Sequence, residues 1–285
     1  RGGMVTLHAT NGDMIDFLIA KNRAEGNLAP IYHYLSQPEI TEAEASERFA
    51  SIAGYTGCPG YIVHMTCEGA LNAVRENNKH NQKVFAETCI QYLLLDASLY
   101  EQNFEGAKWV MSPPLREKKD QEALWAGINQ GLVQVVATDH CPFTWEKKLL
   151  GKDDFSKIPN WHPAIEHRVE LLYSEGVRKG RITANKFVEV LSTNPAKIFG
   201  MFPQKGCIAP GSDADIVLFD PNAEHVISAS THHMNTDYSA YEGWKVTGKT
   251  KTVLLRGQVV IDDGKCLAEK GNGKYIKRNR VEGKI

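Results

Sequence analysis

No stretch of this sequence approaches the ~18 consecutive apolar residues of a membrane-spanning helix, so no membrane partner is expected. No charge of one sign dominates: 33 Lys and Arg stand against 34 Asp and Glu, a net charge of −1. The basic excess of a nucleic-acid footprint is therefore missing, and no nucleic-acid partner is expected. Six cysteines, at 58, 67, 89, 141, 207 and 266, include no CxxC pair. They are too few for a disulfide scaffold of this length and read as reduced, mostly buried thiols in a cytoplasmic protein. There is no internal repeat and no low-complexity tract. The opening RGGMVTLHAT has no apolar core after its Arg and is not a signal peptide. It also lacks an initiator Met and runs straight into a strand pattern, so residues are expected to precede Arg1.

What is present is a 285-residue chain with 42% hydrophobic residues, enough for one large domain or a domain plus a small one. Short apolar strands alternate with helical patterns. Strands are expected at Met4-Val5-Thr6-Leu7, at Tyr61-Ile62-Val63, from Lys83 to Thr88 and from Leu132 to Thr138. Helices are expected from Gly12 to Arg23, from Glu68 to about Asn77 and from Lys119 to Asn129. In TEAEASERFASIAG, Thr41 and Glu44 suggest a capping box, with Ala45, Phe49, Ile52 and Ala53 on one face. A loop-rich stretch is expected up to about Arg116. Later helices are expected from Pro163 to Arg178 and from Ala184 to Leu191, with a short one capped by Asn194 and ended by Gly200. Strand–helix–strand alternation implies parallel pairing with right-handed crossovers. From about Gly206 the texture changes to short strands with Gly and Asp turns, and TVLLRGQVVIDDG reads as a hairpin. The expected division is thus an α/β unit over residues 1–205 and a small β-rich unit with a basic tail over residues 206–285.

Three of the four strands end on a group that can bind metal or move a proton. His8 follows the first, His64 the second and Asp139 the fourth. A lone His at a strand end is commonly a turn residue. Three such groups at the same end of parallel strands face one mouth, where (β/α) barrels carry their active sites. His with Asp suits zinc or a similar divalent ion. Such an ion makes a nucleophile at neutral pH, and an acid beside it can take and return the proton. Asp139 is the candidate for that acid, and Pro142 turns the chain away after it. His140 reads as a neighbour of the site and not as a ligand. Cys67 reads as a small buried residue, and His232-His233 as surface residues in the β-rich end.

The stretches HATNGD (8–13), YIVHMTCEGAL (61–71), MSPPLREK (111–118), ATDHCPF (137–143), GKDDFSKIPN (151–160) and GSDADIV (211–217) resemble those of dihydropyrimidinases and D-hydantoinases. These are cyclic amidohydrolases of the amidohydrolase superfamily, and the likeness runs from Arg1 to about Lys277. The resemblance implies a distorted TIM barrel with two zinc ions bridged by hydroxide and a carbamylated lysine. It implies a substrate that is a small cyclic imide or ureide, opened to an N-carbamoyl amino acid, and a homo-oligomer, a tetramer. By the same likeness His8 and His64 match ligands of the more exposed metal, and Asp139 a ligand of the other that shuttles the proton. Ser112 and Asn160 match positions whose backbone groups hold the ring. The family's HxH pair, bridging lysine and following tyrosine have no counterpart in this chain. The sequence is therefore expected to be a partial TIM-like (β/α) barrel, strands five to eight, followed by the C-terminal part of a small β-sandwich. The alternatives are a non-enzymatic, scaffold-type relative or an inactive truncated fragment; retention of His8, His64 and Asp139 speaks against the scaffold. Trp161-His162 departs from the small residues or proline that the family has after Asn160, which bears on specificity.

Overall fold

In the computed structural model, residues 3–79 and 84–280 are described. The chain divides into two compact units. One joins Met4–Arg168 with Ile227–Trp244; the other contains Val169–Val226 and the chain from Lys245 onward.

The first unit is built on four parallel strands, β1 (Val5–Leu7), β2 (Gly60–Ile62), β3 (Val84–Cys89) and β4 (Val135–Ala137), hydrogen-bonded in chain order. Helices α1 (Gly12–Ala24), α2 (Ile31–Leu35) and α3 (Glu39–Thr56) connect β1 to β2. Helix α4 (Glu68–Lys79) connects β2 to β3, and α5 (Ile90–Leu94) and α6 (Lys118–Asn129) lie between β3 and β4. Strand β2 is buried throughout and β3 nearly so, as parallel strands covered on both faces are. Helix α1 is capped by Asn11, whose side chain accepts from Met14 N at 3.2 Å.

The helices depart from the sequence reading for identifiable reasons. Helix α3 starts at Glu39, after Pro38, and Thr41 Oγ1 donates to Pro38 O at 2.8 Å. There is no capping box at Thr41, and Glu44 instead accepts from Asn11 Nδ2. Its buried face carries Ala45, Ala50 and Ala53, while Ile52 is 59% exposed. Strand β4 starts at Val135 and not at Leu132, because Leu132 N and Val133 N both donate to Gly127 O at the end of α6. The stretch expected to be loop-rich holds α5 and two 3₁₀ turns, Ala97–Glu101 and Asn103–Trp109. Lys83, expected to open the third strand, lies outside the described residues.

The division also differs from the one expected at residue 205. Helix α7 (Trp145–Lys148) lies within the first unit. The next helix, α8 (Arg168–Leu172), runs on as π-helical turns through Tyr173–Arg178. Then α9 (Ala184–Val188) and α10 (Asn194–Ile198) flank a second π-helical stretch, Glu189–Thr193. Asn194 has helical φ and ψ of −65° and −47°, so it continues the helix and does not cap it. These helices pack on the antiparallel sheet of their own unit, β5 (Ile216–Val226), β6 (Lys245–Leu255), β7 (Gln258–Asp262) and β8 (Lys265–Cys266). The rings of Tyr173 and Phe187 lie 4.8 and 6.3 Å from that of Phe219. Glu170 pairs with His225 at 2.9 Å and accepts from Thr250 N. Those contacts assign the helices after Arg168 to the β-rich unit. The predicted hairpin is there: Leu255 pairs with Gln258 across Arg256-Gly257, both at positive φ, the two-residue turn that matches strand twist. The basic tail is docked, Asn279 N donating to Gly200 O at 2.8 Å.

Candidate active site

Parallel pairing puts the carboxyl ends of β1, β2 and β4 at one edge, with His8, His64 and Asp139 just beyond them. His8 Nδ1 lies 2.8 Å from His64 Nε2, with the rings edge to face and their centroids 4.6 Å apart. Asp139 Oδ2 stands 3.9 Å from the same His64 nitrogen. His64 is 5% exposed and its Nδ1 has no hydrogen-bond partner among the described residues. Burial, reinforced by His8, lowers its pKa to about 3, so the imidazole is neutral. His8 is exposed at the rim, yet desolvation of its ring still lowers its pKa. Burial raises the pKa of Asp139.

The backbone here is strained. His64 has φ 41°, Asp139 φ 47° and Trp161 φ 100°. A non-glycine residue in such a conformation costs about 1–3 kcal/mol, and such residues gather at functional sites. At His64 the turn is held by Glu87, whose carboxylate accepts from His64 N at 3.3 Å and from Tyr61 Oη at 2.7 Å. Glu87 sits in a strand of otherwise uncharged residues, Val84–Cys89. An acid in a buried strand was a signal available in the sequence, and it was missed.

Neutral imidazoles whose nitrogens face one another, with a carboxylate beside them, are a donor set that fits a divalent ion in kind. They do not complete one. Among the described residues no group of three His, Cys, Asp or Glu side chains could by itself hold a metal ion. His140 is engaged elsewhere, its Nδ1 accepting from Ala164 N and Ile165 N at 3.2 and 3.3 Å. His233 pairs with Glu166 at 2.8 Å, and His232 contacts Thr236 O at 3.1 Å. Cys67 is fully buried.

The two remaining predicted residues meet each other. Asn160 Nδ2 donates to Ser112 Oγ at 3.0 Å, and Gln37 Nε2 reaches the same hydroxyl at 3.3 Å. Trp161 follows Asn160 and reaches His64: its N donates to Val110 O at 2.8 Å and its ring centroid is 5.6 Å from that of His64. His162 is fully buried, and desolvation lowers its pKa to about 3.

Residues 40–260 match the family model described as the amidohydrolase family. The chain is 50% identical over 279 residues to a D-hydantoinase of Geobacillus stearothermophilus, covering 97% of this chain and 59% of that protein. Among solved structures, a D-hydantoinase superposes with a TM-score of 0.97 at 50% identity, over 99% of this chain and 62% of that one. A dihydropyrimidinase from Brevibacillus agri gives 0.97 at 48%, over 99% and 61%. The chain thus spans about three-fifths of the length of the relatives it matches. The chain belongs to the amidohydrolase family, and within that family its likeness is to the D-hydantoinases and dihydropyrimidinases.

Proposed function

We propose that the whole protein is a metal-dependent cyclic amidohydrolase that opens dihydropyrimidine or hydantoin rings to N-carbamoyl amino acids. The observation that carries this reading is the convergence of His8, His64 and Asp139 beyond three parallel strands. The four strands correspond, on this proposal, to strands five to eight of the barrel, and β5–β8 to the C-terminal part of a sandwich. The likeness to hydantoinases over 97% of the chain supports it.

His8 and His64 would hold a zinc ion through their neutral ring nitrogens, and Asp139 a second. No HxH occurs in this chain, and in the proposal that pair and the carbamylated lysine belong to the rest of the whole protein. When bound, a divalent ion polarises the scissile carbonyl and lowers the pKa of its water to about 7. Asp139 takes the proton of the attacking water and returns it to the leaving nitrogen. A carboxylate whose pKa burial has raised is suited to hold that proton between the two transfers. The backbone about Ser112 and Asn160 holds the ring. A tetramer in the cytoplasm is the assembly this reading implies.

The test is the whole protein purified with zinc and assayed on dihydrouracil and hydantoin. Asp139→Asn should fold normally and lose ~10²–10⁴ in kcat, the range for general acid–base help. Near-normal turnover in a fully metal-loaded Asp139→Asn variant would sink the assignment. His8→Ala should lower the zinc bound per chain, read by metal analysis independently of activity.

A further inference from the structure

Lysine is almost never fully buried unless it is paired, yet Lys148 on α7 has no exposed surface. Its Nζ donates to two main-chain carbonyls, Pro159 O at 2.7 Å and Val110 O at 3.1 Å. Those carbonyls belong to the two segments that carry the Asn160–Ser112 pair. Val110 O also accepts from Trp161 N at 2.8 Å. One carbonyl therefore receives both the lysine and the amide of a residue at φ 100°. One residue further along the same segment, His33 Nε2 contacts Met111 O at 2.7 Å.

We propose that Lys148 is a positioning residue: its amine clamps the Val110 and Pro159 backbones together and so sets the Ser112–Asn160 pair and the Trp161 ring beside His64. The inference rests on the activity proposed above. Fold stability does not call for a lysine here, because an apolar side chain of similar volume would avoid desolvating the amine. What an apolar side chain cannot do is bridge two carbonyls from segments far apart in the chain. Burial lowers the Lys148 pKa to about 7, but a neutral amine keeps two N–H groups for its two acceptors. The clamp therefore does not depend on the charge.

The test is Lys148→Met in the whole protein, alone and combined with Trp161→Gly. Losing the bridge should raise hydrogen exchange in peptides spanning 158–164 roughly five- to tenfold, the worth of one hydrogen bond. Peptides from β2 and β3 should be unchanged. KM for hydantoin should rise by a similar factor, roughly five- to tenfold, with kcat held within about threefold. Glycine adopts the left-handed turn without strain, so in the Trp161→Gly background the effect of Lys148→Met should fall to about twofold or less. Unchanged exchange, or an equal KM effect in both backgrounds, overturns the clamp. Should Lys148→Met not fold, Lys148→Gln retains donors on a stem one atom shorter. It should show the same changes at smaller size, and wild-type exchange in it overturns the proposal. A wild-type protein that opens no cyclic amide defeats the proposed activity, and exchange at 158–164 then decides the clamp alone.

Discussion

His33 contributes stability that depends on its staying neutral. It is buried, and desolvation, only partly offset by its contact with Met111 O, lowers its pKa from 6.5 to about 4. Between those values the unfolded chain binds the proton and the folded one does not, so stability falls as pH drops from 6.5 to 4. At 1.36 kcal/mol per unit over 2.5 units, the loss is about 3 kcal/mol. His33→Gln should therefore show a shallower fall in Tm between pH 7 and pH 5 than wild type; equal slopes would mean that other groups carry the acid sensitivity. At Trp161, replacement by Gly should relieve the strained φ of 100° and remove the ring beside His64. The ratio of kcat/KM for dihydrouracil to that for a bulky 5-substituted hydantoin should shift by roughly tenfold. An unchanged ratio would show that the ring faces away from substrate. His8, His64 and Asp139 were legible in the sequence because strand ends are legible, and a strand end fixes where a side chain emerges. Lys148 was not, because EKK in Glu146-Lys147-Lys148 reads as a solvated charge run; its burial arises from the chain folding back at Pro159.

Elements whose apolar spacing is strong, such as α4 and α6, were legible close to their observed ends. Where neighbours decide, local pattern misleads. Leu132 and Val133 look like strand but their amides are taken by Gly127 O. Helices α9 and α10 look separate in the sequence, yet the π-helical turns at Glu189–Thr193 carry one into the other through Asn194, while Thr183 caps α9 and keeps it apart from the helix that ends at Arg178. The packing of the π-helical continuation of α8 on the sheet depends on a close approach at Gly248 in β6. Gly248 has φ 106°, and a Cβ there would lie 2.5 Å from Tyr173 Cδ1 and 2.7 Å from Phe219 Cζ. Gly248→Ala should destabilise the β-rich unit by about 2–5 kcal/mol, through backbone strain and overpacking together. Denaturant midpoints would read this, and a midpoint within error of wild type would mean that the two rings move aside freely.

At the scale of the molecule, among the described residues, the parallel sheet ends at β1 on one side and β4 on the other, and Val5 in β1 is 49% exposed. Unpaired strand edges are templates for association. Residues 1–285 expressed alone should therefore elute as oligomers or aggregates, and should open no hydantoin ring. Monomeric, active protein from those residues would refute both expectations. The first unit has a second property: it takes residues from two places in the chain, Met4–Arg168 and Ile227–Trp244. Trp109 Nε1 donates to Ala240 O, and Thr236 Oγ1 to Phe143 O. The unit that begins first is thus finished late. A ribosome moving at 5–20 residues per second needs roughly 4–15 s to travel the 76 residues from Arg168 to Trp244. For that interval the first unit lacks its last segment, which carries the buried Ile227, Tyr238 and Tyr241, and a chaperone that recognises bare apolar surface would find it there, before the β-rich unit is complete.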